Sequence, residues 1–301
     1  MEMNLADLVE QFGSNDRCRD YLEHLRWPNG VECPKCGSQS ISRIKTRKQF
    51  DCNSCRKRFS VLAGTIFQDS KLPLWKWFSA VYLLCESKKG VSALQVKRML
   101  KIGSYETAWY LCHRIRRAMV ETDPELLRGI VEIDETFIGG KPRYHFDGQQ
   151  GYRGNKTMIV GAIQRGGKLR VKATSHPYAT QKMAEGFIAA TVAGDAKAIY
   201  TDDAHAYHRL GDEDTVHETV NHSKDEWVRG QIHTNTVESA WSLFDRAVMG
   251  SYHKLSVKHL PAYLAEFEFR FNNRENPHLF RDTILKLIEA DVLTYEALTA
   301  A

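Results

Sequence analysis

No stretch of the 301 residues stays apolar for long. The longest such run, around Trp77–Cys85, falls far short of the ~20 residues that span a bilayer, so no membrane partner is expected. The opening "MEMNLADLVEQF" is acidic and lacks the basic-then-apolar layout of a secretory signal. A soluble, cytoplasmic protein is the expectation. Internal repeats and low-complexity segments are also missing. Cysteine is present in odd number, seven, which in an intracellular chain argues against a disulfide framework. Acid is scarce in one part: from Cys33 to Val120 there are 4 Asp/Glu against 18 Lys/Arg, although the whole chain carries only +5. A basic region joined to an acidic one suggests a polyanion-binding part attached to something else.

What is present divides the chain. Residues 4–26 read as helical and 1–28 as an N-terminal helical segment. Four of the cysteines fall as "CPKC" (Cys33, Cys36) and "CNSC" (Cys52, Cys55), among short strands with Phe50 and Phe59 as a small core. Zinc takes four tetrahedral ligands, and two C-x2-C turns 15 residues apart supply four thiolates and leave no open position. The spacing therefore predicts one structural zinc in a ribbon over 29–64. Basic residues at its knuckles, Lys35, Arg56, Lys57 and Arg58, are candidate phosphate contacts.

Over 70–122 the pattern is a helix with Pro73 near its start, then a helix capped by Ser92, the turn "KIG", and a helix capped by Ser104. Helix, short Gly-containing turn, helix is the helix-turn-helix outline. A recognition helix needs cations on its exposed face, and Arg114 and Arg117 stand three apart on one face. A fragment ending near Val120 is expected to keep sequence-preferring DNA binding.

From about 128 strand-like runs appear at 130–138, 157–163 and 168–174, the last two joined at Gly166–Gly167 as a hairpin. A helix (180–193), two strands ("AIYTDD", "TVHETV") and helices at 236–249, 257–274 and 281–298 follow. This order describes an α/β domain with a mixed sheet over 128–275, with 276–301 as a C-terminal helix. Overall the chain reads as an α+β multidomain protein.

Three carboxylates stand out in the α/β part. Asp134 lies inside the first strand, Asp202 ends a later one, and Glu238 opens a helix on a face shared with Ser242 and Asp245. Gathered carboxylates repel one another unless divalent cations bind, and hard cations such as magnesium take oxygen ligands. Two such ions can activate water and stabilise a leaving oxygen in phosphoryl transfer. No cleft Ser or Tyr stands out as a nucleophile.

In their order, "CPKC…CNSC", "FSVLAGTIF", "VEIDETFIGGK", "YTDDAHAY", "VNHS", "HTNTVESAWSLFDRAVMGSYH" and "YLAEFEFRFNNR" resemble bacterial insertion-sequence transposases of the DDE class with an N-terminal zinc ribbon, the ISXO-like group. The resemblance covers about residues 15–275. It implies an RNase H-like catalytic domain and magnesium-dependent DNA strand cleavage and strand transfer at element ends, with two Mg2+ held by Asp134, Asp202 and Glu238. Asp203 and Glu135 are expected to stand outside the triad. Double-stranded DNA, both element ends and target, is the implied partner, bound as a homo-oligomer. His222, His233 and Asn235 belong to these motifs as candidate cleft residues. Lys141 and Lys156 are candidate DNA contacts in the intervening loop. The pattern breaks at one position: where a basic residue usually follows the third acid by seven, this chain has Asp245 and then Arg246. Arg246 is expected to supply the missing phosphate contact. Two rivals remain: a DNA-binding regulator with an inactive RNase H-like domain, and a nuclease that cuts without joining.

Overall fold

The computed structural model describes residues 3–139, 156–174, 178–207, 215–221 and 224–300. The chain forms two compact units, one of residues 1–120 with 275–301 and one of residues 121–274. None of the helices described is long and apolar enough to cross a membrane.

In the first unit the expected 4–26 helix is two, α1 (Leu5–Phe12) and α2 (Asn15–Arg26). Ser14 causes the break: its side chain accepts from the Arg17 N–H and starts a new helix. Strands β1 (Ile41–Ile44), β2 (Gln49–Cys52) and β3 (Arg58–Phe59) form an antiparallel sheet in that order. Its core is small. Phe50 and Phe59 stack at 5.6 Å, with Trp27 edge-on to both. Helices α3 (Leu74–Glu86), α4 (Ala93–Met99) and α5 (Tyr105–Ala118) follow, with Ser92 and Ser104 capping α4 and α5 through the N–H groups of Gln95 and Thr107. In the turn between α4 and α5 the left-handed residue is Lys101, with φ 48°.

The C-terminal stretch, expected as one helix, is two: α9 (Leu279–Glu289) and α10 (Tyr295–Thr299). Thr294 caps the second through the Ala297 N–H, and the Leu293 carbonyl accepts the Tyr110 hydroxyl of α5. Of the two, α9 belongs to the core of this unit, whereas α10 buries no side chain. Phe280 of α9 lies 5.7 Å from Phe12 and 5.9 Å from Phe78, and the latter two are 5.0 Å apart.

The second unit holds a five-stranded mixed sheet. Strands β4 (Ile130–Gly139), β5 (Lys156–Gln164) and β6 (Leu169–Ala173) run antiparallel in sequence. Strands β7 (Ala198–Asp202) and β8 (Val216–Val220) lie parallel to β4, giving the order β6-β5-β4-β7-β8. This is the RNase H-like arrangement that the resemblance implied. Period-two alternation sorts the faces. Val131, Ile133, Val160, Ala162 and Ile199 pack on one side with Ala184 and Phe187 of α6 (Gln181–Thr191). Ile159, Ile163 and Leu169 pack on the other with Val237, Trp241 and Phe244 of α7 (Asn235–Ala247) and Leu264 and Phe267 of α8 (Leu260–Asn272).

Candidate active site and zinc centre

The even-numbered residues of β4 face α7, so Glu132 and Asp134 project on the side where Val131 and Ile133 do not. The β4–β7 ladder pairs Ile130 with Ala198 and Glu132 with Tyr200. Continued by two residues, that register sets Asp134 beside Asp202. In parallel neighbours the paired side chains share a face. The two aspartates thus stand on adjacent strands, Asp134 midway along β4 and Asp202 at the carboxyl end of β7.

Glu238 comes from the first turn of α7. With Asp134 it lines a cleft of about 470 Å³, together with Glu135, Thr136, Trp241, Ser242, Asp245, Arg246 and Met249; Asp202 is not among the lining residues. Burial, then the charges of Glu135, Asp202 and Glu238, push the Asp134 carboxyl up to about 7. A carboxyl raised in this way holds its proton unless a cation stands beside it.

The neighbouring acids each have a hydrogen-bond partner, although Glu135 also lines the cleft. Glu135 accepts the hydroxyl of the fully buried Tyr207 at 2.7 Å, and Asp203 accepts from Asn221 Nδ2 at 2.6 Å. Trp241 fixes how closely α7 approaches the sheet. Its ring lies over Gly161, the register partner of Asp134; a Cβ there would stand 2.5 Å from Trp241 Cζ2. On the same helix Arg246 turns back and donates to Ser242 Oγ at 2.5 Å, which brings its guanidinium to the Glu238–Ser242–Asp245 face. Burial raises the Asp245 carboxyl above its ordinary range.

Other candidates are placed differently from expectation. His233 and Asn235 are not among the residues lining this cleft. The His233 ring lies at the entrance of α7, with Nδ1 3.0 Å from Arg165 and 3.4 Å from Glu132, and Asn235 is exposed. Lys156 is half-buried at the start of β5. Lys141 and His222 lie outside the described residues. Arg114 and Arg117 do not share an outward face. Arg114 is 3% exposed and donates to the carbonyls of Ile66 and Gln68, with its guanidinium over the Trp77 ring at 4.9 Å. Arg117 is exposed. The reason is packing: α5 turns its Arg114 side into its own unit, and a buried guanidinium there must find acceptors.

The missed residue is Glu132. It carries a fully buried carboxylate bound by Arg165 and by two backbone N–H groups of α7. The one signal for it in the sequence is a charge at an interior strand position.

In the ribbon, the Cys33–Cys55 and Cys36–Cys52 sulfurs are each 3.6 Å apart. A tetrahedral zinc with Zn–S near 2.3 Å separates its sulfurs by about 3.8 Å, so the four thiols fit one ion. The Cys55 N–H donates to Cys52 Sγ at 3.5 Å and heads the causes that hold that thiol below its ordinary range. Among the described residues this is the one group of three or more His, Cys, Asp or Glu side chains placed so that it could hold a metal ion, its sulfurs all within 4.8 Å of one another. Of the ribbon's basic residues, Arg58 is paired with Asp51, whereas Lys35, Arg56 and Lys57 are exposed.

A zinc-ribbon fold and an RNase H-like sheet bearing clustered acids fit the class of nucleic-acid-processing proteins. Comparison with known proteins agrees. The ISXO2-like transposase domain matches residues 126–272, and the transposase zinc-ribbon domain matches 13–58. An uncharacterized protein in transposable element ISH50 of Halobacterium salinarum is 30% identical over 281 residues, covering 87% of this chain and 92% of its own. The chain belongs to the ISXO2-like transposase family, and DNA transposition is its function. Solved structures give weaker likenesses that add nothing to this assignment. A Mos1 strand transfer complex matches at 13% identity and TM-score 0.30, over 70% of this chain and 75% of that one. A simian T-cell lymphotropic virus intasome in complex with a PP2A regulatory subunit matches at 13% and 0.29, over 64% and 65%.

Proposed function

We propose that Asp134, Asp202 and Glu238 are the catalytic acids of this transposase, cutting DNA at insertion-sequence ends and joining those ends to a target. The observation that carries the reading is the gathering of acids about Asp134: Asp202 on the adjacent parallel strand, Glu238 of α7 lining the same cleft as Asp134, and an Asp134 carboxyl raised by burial and then by the charges of Glu135, Asp202 and Glu238. The donor set is all oxygen and strongly anionic, which suits magnesium. Asp134, Asp202 and Glu238 would hold the ions. Bound there, two such ions supply a deprotonated nucleophile and neutralise the leaving oxygen.

The protein's own part is placement. Asp134 offers its charge from within β4 and Asp202 from the end of β7, and Glu238 offers its charge from a helix fixed on the sheet by Trp241. Arg246, held by Ser242 at the same face, offers a cation to the DNA backbone. The zinc ribbon, Arg117 and the exposed ribbon cations hold the element end, and the protein acts as a homo-oligomer on DNA.

One assay tests the reading: the full chain, magnesium, a donor duplex carrying the element ends and a supercoiled plasmid. Nicked donor and donor–plasmid joints are expected. Binding with no strand chemistry would favour the regulator, and cutting without joints the nuclease.

A further inference from the structure

A helix leaves its first N–H groups without internal acceptors, and a Thr at the N-cap ordinarily supplies one. The N-cap of α7 is Thr234, yet its side chain accepts none of those N–H groups. Its hydroxyl donates instead to Glu238 Oε1 at 2.8 Å. The cap comes from the sheet. Glu132 Oε2 accepts from the N–H groups of Thr236 at 2.7 Å and Val237 at 3.1 Å, while Oε1 accepts from the Thr236 hydroxyl at 2.8 Å and from Arg165 Nε at 2.6 Å. A fully buried carboxylate is costly unless compensated, and here the helix N-terminus and the guanidinium compensate it. Arg165 also ties down the approach to α7. It donates to the carbonyls of Gln231 at 2.8 Å and His233 at 3.0 Å, and lies over the Tyr200 ring at 4.9 Å.

We propose that Glu132 and Thr234 are positioning residues: Glu132 caps α7 from the strand that carries Asp134, and this releases the Thr234 hydroxyl to orient the Glu238 carboxylate. The inference rests on Glu238 being a ligand in the reading above. It explains why an acid sits two residues before Asp134 on the same face. One carboxylate joins the strand of the first acid to the helix of the third, so the distance between them is set by hydrogen bonds rather than by a chain separation of 104 residues. Partners of this kind, one step behind a metal ligand, commonly cost about 10- to 100-fold in metal affinity when removed.

The test uses full-length, zinc-loaded protein and four variants: Thr234→Val, Thr234→Ser, Glu132→Gln and Glu238→Gln. Two quantities are read besides cleavage: Mn2+ affinity without DNA, by calorimetric titration, and amide exchange at Thr236 and Val237. Thr234→Val should raise the half-saturating Mn2+, and the Mg2+ required for cleavage, by about 10-fold, with melting unchanged; Thr234→Ser should restore both. Glu132→Gln should speed exchange at Thr236 and Val237 and weaken Mn2+ binding in parallel. If Thr234→Val binds Mn2+ as the parent does while Glu238→Gln has lost binding, the positioning inference is overturned and the triad stands. If Glu238→Gln itself binds and cleaves normally, the triad reading falls instead. Should Glu132→Gln fold poorly, the Val and Ser variants at 234 decide the matter.

Discussion

A carboxylate inside a strand must be neutralised, and β4 does this in three ways within four residues. Glu132 is paired with a guanidinium and a helix terminus, Glu135 takes a tyrosine hydroxyl, and Asp134 faces other acids. Only the last arrangement calls for a cation. Asp134→Asn, Asp202→Asn and Glu238→Gln should therefore each lower cleavage by about 10³-fold or more, with DNA binding retained. Asp203→Asn and Glu135→Gln should cost far less, since their carboxylates are held by Asn221 and Tyr207; single-turnover cleavage at matched zinc content measures this. The three proposed acids stood out in the sequence because a charge inside a strand, at a strand end or at a helix start can be read from local pattern. The role of Glu132 was not, because its partners lie 33 and 104 residues away. Arg114 misled for a related reason: helical spacing gives a face, but only packing decides which face is outward. On α7 the Arg246 guanidinium folds back through Ser242 as its long stem allows. Arg246→Ala should lower strand transfer several-fold, and Asp245→Lys should raise it at moderate salt, both read as joint yield against salt.

At the level of elements, the approach of α7 to the sheet depends on a missing side chain. Gly161 leaves room for Trp241, and a methyl would meet the ring's Cζ2 and Cη2 at 2.5 and 2.6 Å. Overpacking of this sort typically costs about 1–3 kcal/mol. Gly161→Ala should lower the unfolding free energy by that amount and slow cleavage more than its stability loss explains, because the displaced helix carries Glu238. Denaturant melts beside cleavage rates separate the two effects. The ribbon poses the opposite problem, since its core is little more than Trp27, Phe50 and Phe59. So small a unit depends on its metal. The purified protein should hold about one zinc per chain, and Cys52→Ser with Cys55→Ser should lose it and unfold the ribbon. Full zinc in that double variant would refute the four-cysteine site. The strands and most helices were legible from apolar period and caps. The breaks at Gly13–Ser14 and before Thr294 were harder to read, because each turns on a cap competing with an otherwise continuous helical pattern.

At the level of the whole molecule, the chain leaves its first unit at Val120 and returns to it at Glu275. The returning segment is core. Phe280, Ile284 and Leu287 are all buried, and Phe280 completes the ring cluster with Phe12 and Phe78. Burying each such side chain contributes about 1.5–3 kcal/mol, so the three together are comparable with the ~5–15 kcal/mol that holds a domain folded. A fragment ending near Val120, which the sequence suggested would bind DNA alone, lacks that segment. It should therefore unfold at or near room temperature and lose sequence-preferring binding, and a chain stopped after Arg274 should fail in the same way. DNA binding is then best tested in the full protein. Phosphate contacts release counterions, so log affinity falls with log salt by about 0.9 per contact. Arg117→Ala should weaken binding across sequences and reduce that slope by about one. Arg114→Ala, whose guanidinium holds carbonyls inside the unit, should instead lower the melting temperature and leave the slope of the folded fraction unchanged. Titrations of both variants against a labelled duplex from low to moderate salt, with melting curves alongside, decide between the roles. A slope change in Arg114→Ala with unaltered melting would return that residue to the DNA surface.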